Sequence, residues 1–420
     1  MSIRNLPAMP QAPRQPHTSS ASPKPRTPPK LPTRPTPQSQ QAQQTQYVQC
    51  AQQTQQTQYV PPSPQTPQTP QTSHRAKLWH RWQSAPGRVL AVAGLAALLL
   101  AVQVGAVPVA ASDWWAWAGD GPATGGAYVL WELRLPRALM AAAVGAALGL
   151  AGALAQGLFR NPLADPGLLG VTSGAVCAAA LVLTVFAAAA ATLPPAARMW
   201  VLPAAAFGGA LAVCLGLDRL ARWLTPGSVS GLLLTGLALN ALTMAVVGLC
   251  TYLATDEQLR SLSFWTLGSV AGASWPVVAV LATALAVALW QGRQLSQALN
   301  ALALGEAAAS HVGVDVPALR WRLIITVALL CGLAVAWCGL IGFIGLMAPH
   351  LVRGVAGADQ RRVLPLAAAA GAVLLLLADT AARTVAIPAE VPVGIFTALI
   401  GAPMFLALLR GMARRQGGHA

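Results

Sequence analysis

The chain has 420 residues, of which 55% are hydrophobic and only 9% are charged. Soluble domains carry about 25% charged residues, so this composition excludes a soluble fold and predicts an all-α, polytopic membrane protein. All three lysines, Lys24, Lys30 and Lys77, precede the apolar part, where a GxxxxGK[ST] phosphate-binding loop is therefore impossible. We expect the chain to have no enzymatic role, and energy from ATP would have to come from another subunit.

Residues 1–78 contain 16 of the 33 prolines and 17 glutamines, and QQTQYV occurs at 43–48 and again at 55–60. Such a segment buries too little apolar surface to offset the entropy lost on ordering. A secretory signal is the alternative, but the first apolar run starts near residue 88, too far behind the first charges. We predict a disordered cytoplasmic tail over 1–78 and a membrane domain over 79–415.

Apolar runs long enough for the hydrocarbon layer recur from Arg88 onward and predict ten crossings, one of them only half-length. The predicted spans are 88–109, 135–157, 168–191, 200–217, 231–253, 275–291, 322–341, 344–354 (the short one), 363–382 and 392–411.

The net charge of +15 first suggests nucleic-acid binding, but its distribution points elsewhere. Residues 1–87 hold nine of the 27 basic residues, and the other basic residues are scattered over short connectors. This pattern favours membrane topology over phosphate binding, so we expect no nucleic-acid partner. With a cytoplasmic N-terminus, twelve arginines lie inside and five outside, so both termini are predicted to be cytoplasmic.

Two segments are too irregular for simple spans. The segment 158–170 contains Asn161-Pro162 and Asp165-Pro166, which break helices, and 344–354 is too short to cross alone. Irregular backbone at membrane depth is tolerated only inside the protein or beside a cavity. We therefore predict that both segments line the interior, and Gln156 is the polar exception in the small-residue string before the first of them.

Three outer arginines stand out because they oppose the positive-inside rule. Arg134 and Arg137 open the second predicted span, and Arg383 closes the ninth. A ring of exposed cations could dock an acidic partner through charge-assisted pairs. Interfacial snorkelling is the alternative, with Arg383 paired to Asp379 one helical turn earlier.

The inner connector 292–321 is too polar to cross the membrane. Its centre, Leu302 to Val314, predicts a short amphipathic helix ended by Gly313, with small residues at 307–309 where another protein could approach. Packing of this helix on its own bundle remains the alternative.

Titratable residues give little support to other functions. The histidines have no partner at metal-ligand spacing, so we expect no metal site and no cofactor. Asp379 is the only acid within a confident span, which weakens a proton-coupled secondary transporter. A membrane enzyme would need a cluster of titratable groups, and none is evident in the sequence.

Six stretches together resemble the permease subunits of ABC importers for ferric siderophores, haem and cobalamin. The likeness covers about residues 80–415, and the tail has no counterpart in it. The stretches are LRLPRALMAAAVGAALGLAGALAQGLFRNPLADPGLLGVTSGA (133–175), LLLTGLALNAL (232–242), FWTLGSVAGASW (264–275), LGEAAASHVGV (304–314), GLIGFIGLMAPHLVR (339–353) and EVPVGIFTALIGAPMFLALL (390–409).

The resemblance implies a bacterial inner-membrane importer with ten helices per subunit. Its implied partners are a second permease subunit in a homodimer, cytoplasmic ABC ATPase subunits, a periplasmic substrate-binding protein and the surrounding lipid. By this likeness the docking positions are Arg134, Arg137 and Arg383, and the positions coupled to the ATPase are Gly305, Glu306, Ala309 and Gly313.

The resemblance also bears on the pathway and the cargo. SVSG at 228–231 matches the family's inner gate and implicates Ser230, while Gln156 and Asn161 lie on family motifs as contacts to substrate or supports of the broken helices. The stretch 254–275 and the connector look most similar to haem permeases, with ferric siderophore second and cobalamin third.

Overall fold

A computed structural model of the chain describes residues 73–118, 121–122, 124–226, 228–387 and 389–417. Residues 1–72, most of the predicted tail, lie outside the described residues. The last six residues of that predicted tail, 73–78, belong to a helix, Ser73–Gln103. The helix that leads into the first predicted span therefore begins at Ser73.

The described residues contain fourteen α-helices, which confirms the all-α class. They are α1 (Ser73–Gln103), α2 (Gly125–Tyr128), α3 (Leu135–Phe159), α4 (Val171–Leu183), α5 (Ala187–Ala191), α6 (Pro195–Leu224), α7 (Val229–Leu253), α8 (Asp256–Thr266), α9 (Trp275–Ala303), α10 (Glu306–His311), α11 (Val316–Cys338), α12 (Ile344–Ala356), α13 (Gln360–Thr384) and α14 (Val393–Gly417).

Shorter elements connect some of these helices. A π-helical segment, Val129–Arg134, joins α2 to α3, and 3₁₀ turns form at Ala111–Trp114 and Pro166–Leu169. Two antiparallel strands of two residues each, Trp117–Ala118 and Gly121–Pro122, pair with each other. These elements leave the architecture helical.

Seven helical stretches in the described residues are long and apolar enough to cross a membrane. Three more apolar helices, α4, α12 and the Val393–Ala407 part of α14, are shorter. Each predicted span overlaps one of these ten stretches, although the bounds differ. Ten complete crossings remain a prediction, because the three short helices do not meet the length of a full span.

The segment after α3 breaks as the sequence predicts. The helix ends when Arg160 adopts left-handed dihedrals, with φ of 51°. Asp165 then accepts a hydrogen bond from the Gly167 N–H at 2.7 Å and Pro166 opens the 3₁₀ turn, so the chain restarts as α4 only at Val171. Proline after a capping aspartate is the expected local cause.

The predicted span 168–191 is wrong in its second half, because α4 ends at Leu183. The hydroxyl of Thr184 donates back to the Ala180 carbonyl at 2.6 Å, and the side chain of Gln258 donates to the Thr184 carbonyl at 3.3 Å. These bonds to the last turn favour termination over continuation. A separate short helix, α5, follows.

The core is built around α3, which is buried along nearly all of its length. It packs against α13, α9, α12 and α11. Gly145 and Gly371 face each other, and a Cβ on either residue would clash with the carbonyl oxygen of the other. Small residues are thus required where α3 and α13 meet, as in other close helix pairs in membranes.

Candidate functional site

Arg134 lies at the end of the bundle where α1 ends and α3 begins. One of its guanidinium nitrogens donates to the carbonyls of Val102 and Gln103, each at 3.0 Å, and the other donates to the Val107 carbonyl. The last carbonyls of a helix have no partner within the helix. Arg134 supplies that partner, so its first role is to cap the end of α1.

Arg137, one turn further on, joins two carboxylates. Its Nη2 lies 2.9 Å from Asp379 Oδ1 on α13, and its Nη1 lies 2.9 Å from Glu390 Oε2 in the loop before α14. Asp379 has a side chain only 3% exposed, whereas that of Glu390 is 49% exposed. Arg137 therefore connects the interior of the bundle to its surface.

Arg383 completes this cluster. Its Nη2 donates to the Ala101 carbonyl, and its Nε lies 3.8 Å from Asp379 Oδ2, beyond hydrogen-bonding distance. The predicted pairing of Arg383 with Asp379 along α13 is present as this ion pair. We refer to Arg134, Arg137, Arg383, Asp379 and Glu390 as the outer cluster.

The predicted exposure of these three arginines is wrong. Arg134 is 6% exposed, and the side chains of Arg137 and Arg383 are 15% and 8% exposed. Buried guanidinium groups need carboxylate or carbonyl partners, and the fold provides them. Docking of an acidic partner at these residues remains a prediction, with Arg137 the most accessible of the three.

The connector at the opposite end differs from its predicted form. The predicted helix over Leu302 to Val314 is wrong at its start, because α9 continues to Ala303 and α10 covers only Glu306–His311. Gly305 separates the two helices with φ of +117°, and Gly313 follows α10 with φ of +84°. Both values favour glycine, because a Cβ makes this region costly.

Glu306 fixes the start of α10 to the bundle. Its Oε1 lies 3.0 Å from Arg320 Nη2 on α11 and 3.7 Å from Arg160 Nη2, just after α3. Ala309 is fully buried on the same side of the short helix. Of the predicted small residues, Ala309 packs on the bundle, whereas Ala307 and Ala308 are exposed.

Two large apolar side chains flank α10 and point away from the bundle. Leu304 is 81% exposed and Val312 is 70% exposed. Their position beside a helix anchored by an ion pair leaves an apolar surface available to another protein. Neither residue was predicted as a contact from the sequence, although Leu304 adjoins Gly305 and Val312 adjoins Gly313.

A second anchor holds the end of α9 against the start of α13. Asn300 donates from Nδ2 to Asp359 Oδ1 at 2.8 Å and accepts from the Gln360 N–H at 2.9 Å. The bond from Asn300 lowers the pKa of Asp359, helped by the Arg361 N–H and the charges of Arg361 and Arg362. Asp359 also caps α13 through the Arg361 N–H.

The predicted pathway residues make different contacts. Gln156 is 3% exposed, donates to the Leu346 carbonyl at 3.3 Å and accepts from Arg353. Asn161 accepts from the Leu163 N–H at 2.9 Å, which shapes the turn after α3. Both contacts support the broken helices, and Arg353 is a partner of Gln156 that was not predicted from the sequence.

Ser230 is exposed at the second position of α7. The preceding Ser228 caps that helix by accepting from the Gly231 N–H at 3.0 Å. Ser230 therefore has a side chain free of the capping role, and its part in a gate stays a prediction.

A cavity of about 390 Å³ lies where the broken segments meet. Asp165, Pro166 and Gly167 line it from the turn before α4, and Gly345 lines it from α12, next to Gly342 and Phe343 just before that helix. The remaining lining is mostly apolar and includes Leu148, Leu267, Val335, Ile395 and Ala398. The prediction that both irregular segments line the interior is confirmed.

These features define a class of membrane protein: a helical bundle with broken interior helices, a short connector helix at one end and a carboxylate–arginine cluster at the other. Residues 92–411 match the FecCD transport family, and the chain belongs to that family. It is accordingly a permease of the ABC importer class.

Relatives with assigned substrates extend over most of the same region. The chain is 45% identical over 288 residues to the hemin transport system permease protein HmuU of Yersinia pestis, covering 68% of this chain and 84% of that protein. It is 44% identical over 281 residues to the vitamin B12 import system permease protein BtuC of Vibrio cholerae, covering 67% of this chain and 82% of that protein.

A solved structure has a similar fold. It is described as a metal-chelate type ABC transporter in an inward-facing conformation, and it aligns with a TM-score of 0.66 and 32% sequence identity. The alignment covers 77% of this chain and 97% of the other.

Proposed function

We propose that this chain is the membrane subunit of an importer that carries haem across the bacterial inner membrane. It works as a homodimer with two ATPase subunits and receives its cargo from a periplasmic binding protein. The observation that carries the proposal is the similarity of residues 92–411 to the family, together with the two chemically distinct ends of the bundle.

Haem is preferred over other cargoes on two grounds. The hemin permease is 45% identical to this chain, one point above the vitamin B12 permease, so overall identity is a weak discriminator. The stretch 254–275 and the connector look most similar to haem permeases, which adds weight to haem. A ferric siderophore is the second candidate and cobalamin the third.

The cargo is tested in vesicles that contain this chain, its ATPase and its binding protein. ATP-dependent entry of haem, without entry of a ferric siderophore or cobalamin offered in parallel, is the expected result. Entry of another chelate alone would replace the cargo and keep the class of transporter. Uptake without an ATPase subunit would contradict the class.

The connector transmits the ATPase motion in this proposal. Leu304 and Val312 provide exposed apolar contacts, while the Glu306 ion pairs and buried Ala309 tie α10 to the helices of the bundle. A displacement of α10 would therefore be passed to α11 through Arg320 and to the end of α3 through Arg160.

Two variants separate contact with the ATPase from transmission of the ATPase motion to the bundle. Leu304→Asp combined with Val312→Asp should abolish co-purification of the ATPase, whereas Ser310→Asp, which adds charge at an exposed polar position, should not. Glu306→Gln should leave the ATPase bound but reduce uptake by about 2- to 30-fold, the range for residues that carry coupling. Unchanged uptake in Glu306→Gln would refute the transmission step.

A further inference from the structure

A groove of about 740 Å³ lies between α9 and α13, close to the end of the bundle where α13 begins. It includes neither the residues of the 390 Å³ cavity nor Leu304 and Val312, the exposed apolar residues beside α10. Its lining combines aromatic, cationic, polar and aliphatic side chains: Leu289, Trp290, Arg293, Ser296, Gln297, Gln360, Arg361, Leu364 and Pro365.

Helix lengths place this groove at the boundary between hydrocarbon and head groups. Arg293 follows Trp275, the first residue of α9, by about 27 Å along the helix, and Arg361 precedes Arg383 by about 33 Å on α13. Both distances are close to the hydrocarbon thickness of about 30 Å. Trp290 is 65% exposed one turn before Arg293, as expected for an aromatic residue at this depth.

The groove contains two arginines whose guanidinium groups form no hydrogen bond or ion pair within the described residues. Arg293 and Arg361 are both exposed, and only the backbone N–H of Arg361 bonds to Asp359. Unpaired cations at a membrane boundary favour anionic lipid head groups.

Gln360 provides an independent signal. It is 6% exposed, yet its Oε1 is buried with no hydrogen-bond partner, and the residue lines the groove. A buried acceptor without a donor is costly. A hydrogen-bond donor seated in the groove would give this oxygen a partner.

A second groove with arginine and tryptophan, about 720 Å³ beside α6, shows what distinguishes the first. There Arg222 is paired with Asp218 at 2.5 Å and stacks 5.5 Å above the ring of Trp321. Arg222 is thus held by Asp218 and Trp321, which leaves Arg219 as the other cation of that groove, whereas both arginines of the α9–α13 groove have guanidinium groups without a hydrogen bond or ion pair within the described residues.

We propose that the α9–α13 groove binds one anionic phospholipid whose head group carries a hydroxyl, such as phosphatidylglycerol. The phosphate lies between Arg293 and Arg361, and a head-group hydroxyl donates to Gln360 Oε1. The acyl chains descend along Leu289, Trp290 and Leu364. The site requires a lipid rather than free phosphate, because the apolar side chains that line it need acyl chains to cover them.

Native mass spectrometry of the full chain in detergent, titrated with single lipids, tests this site. Phosphatidylglycerol should bind more tightly than phosphatidylmethanol, which has the same charge but no head-group hydroxyl, and both should exceed phosphatidylcholine. Arg293→Gln with Arg361→Gln should weaken the first binding of both anionic lipids by about 30-fold, the effect of removing two membrane-facing arginines. Gln360→Leu should remove only the preference for phosphatidylglycerol.

Arg322→Gln is the matched control, because Arg322 is exposed at the same end on α11 but does not line the groove. An equal loss of lipid in this control would show unspecific attraction to charge and overturn the site. Equal binding of phosphatidylglycerol and phosphatidylmethanol to the unmodified chain would overturn the role of Gln360. Full competition by soluble glycerophosphoglycerol would overturn the lipid as the occupant.

Discussion

The two ends of the bundle hold their charges in different ways. In the outer cluster, Asp379 is 3% exposed and two arginines share it, while carbonyls at the end of α1 take the remaining donors. At the connector end, Glu306 is 35% exposed and also shared by two arginines, and among the described residues neither arginine side chain has a backbone carbonyl as a further partner. We infer that the outer cluster stabilises the fold and that the Glu306 contacts can rearrange at small cost.

Asp379→Asn should have the largest effect on stability. It leaves Arg137 and Arg383 without their shared buried charge, and breaking a buried pair costs about 3–5 kcal/mol. Chemical unfolding in detergent measures the change, and Glu306→Gln should cost less than about 1 kcal/mol in the same assay because the Glu306 side chain is 35% exposed. Equal losses would remove the contrast between the two ends.

Arg134→Gln should have the next largest effect and should lower the free energy of unfolding by about 1.5–3 kcal/mol. The substitution removes charged hydrogen bonds to carbonyls that no other helical N–H can reach. The same assay, combined with affinity for the binding protein, separates two roles. Lost affinity with unchanged stability would show that docking, rather than capping, is the main task of Arg134.

Glu390→Gln should have a smaller effect, and it should strengthen docking of the binding protein rather than weaken it. Glu390 occupies Arg137 from the surface, so its neutralisation should free that guanidinium and raise affinity for an acidic binding protein by about two- to fivefold. Surface plasmon resonance with the reconstituted permease measures this. Glu257→Gln, an exposed acid at the start of α8, is the control and should leave affinity unchanged.

The smallest expected effect concerns pH and Asp359. Its pKa is lowered in the folded protein, so its contribution to stability is complete above the unfolded value near 3.9 and is lost as pH falls through the folded value. Asp359→Asn keeps a capping side chain but loses the charge. The variant should lose less stability than the unmodified chain as pH falls from about 4 through the lowered pKa of the folded protein, and an equal loss would contradict the assignment.

Much of the fold was predictable from local sequence. Asn161-Pro162 and Asp165-Pro166 predicted the break after α3, and the apolar runs predicted the positions of the long helices. The end of α9 was missed because hydrophobicity falls after residue 291. Leu295, Leu299 and Leu302 nevertheless keep helical spacing and are buried, a signal that would have extended the helix.

Helix α8 was also missed, although its start carries a recognisable signal. Thr255 and Gln258 form a capping box, with each side chain bonded to the backbone of the other. The burial of Arg137 had no such local signal, because Asp379 is 242 residues away along the chain. Contacts of this range depend on how the helices pack, which single-sequence patterns do not encode.

The glycine contact between α3 and α13 limits how the permease can move. Gly145 meets Gly371, and a Cβ at Gly149 would clash with the Ala367 carbonyl one turn along the same seam. Helices whose backbones touch cannot slide past one another without losing that fit. We therefore expect α3 and α13 to travel as one rigid lever during transport, with bending confined to points such as Gly305 and Gly357, where φ is positive.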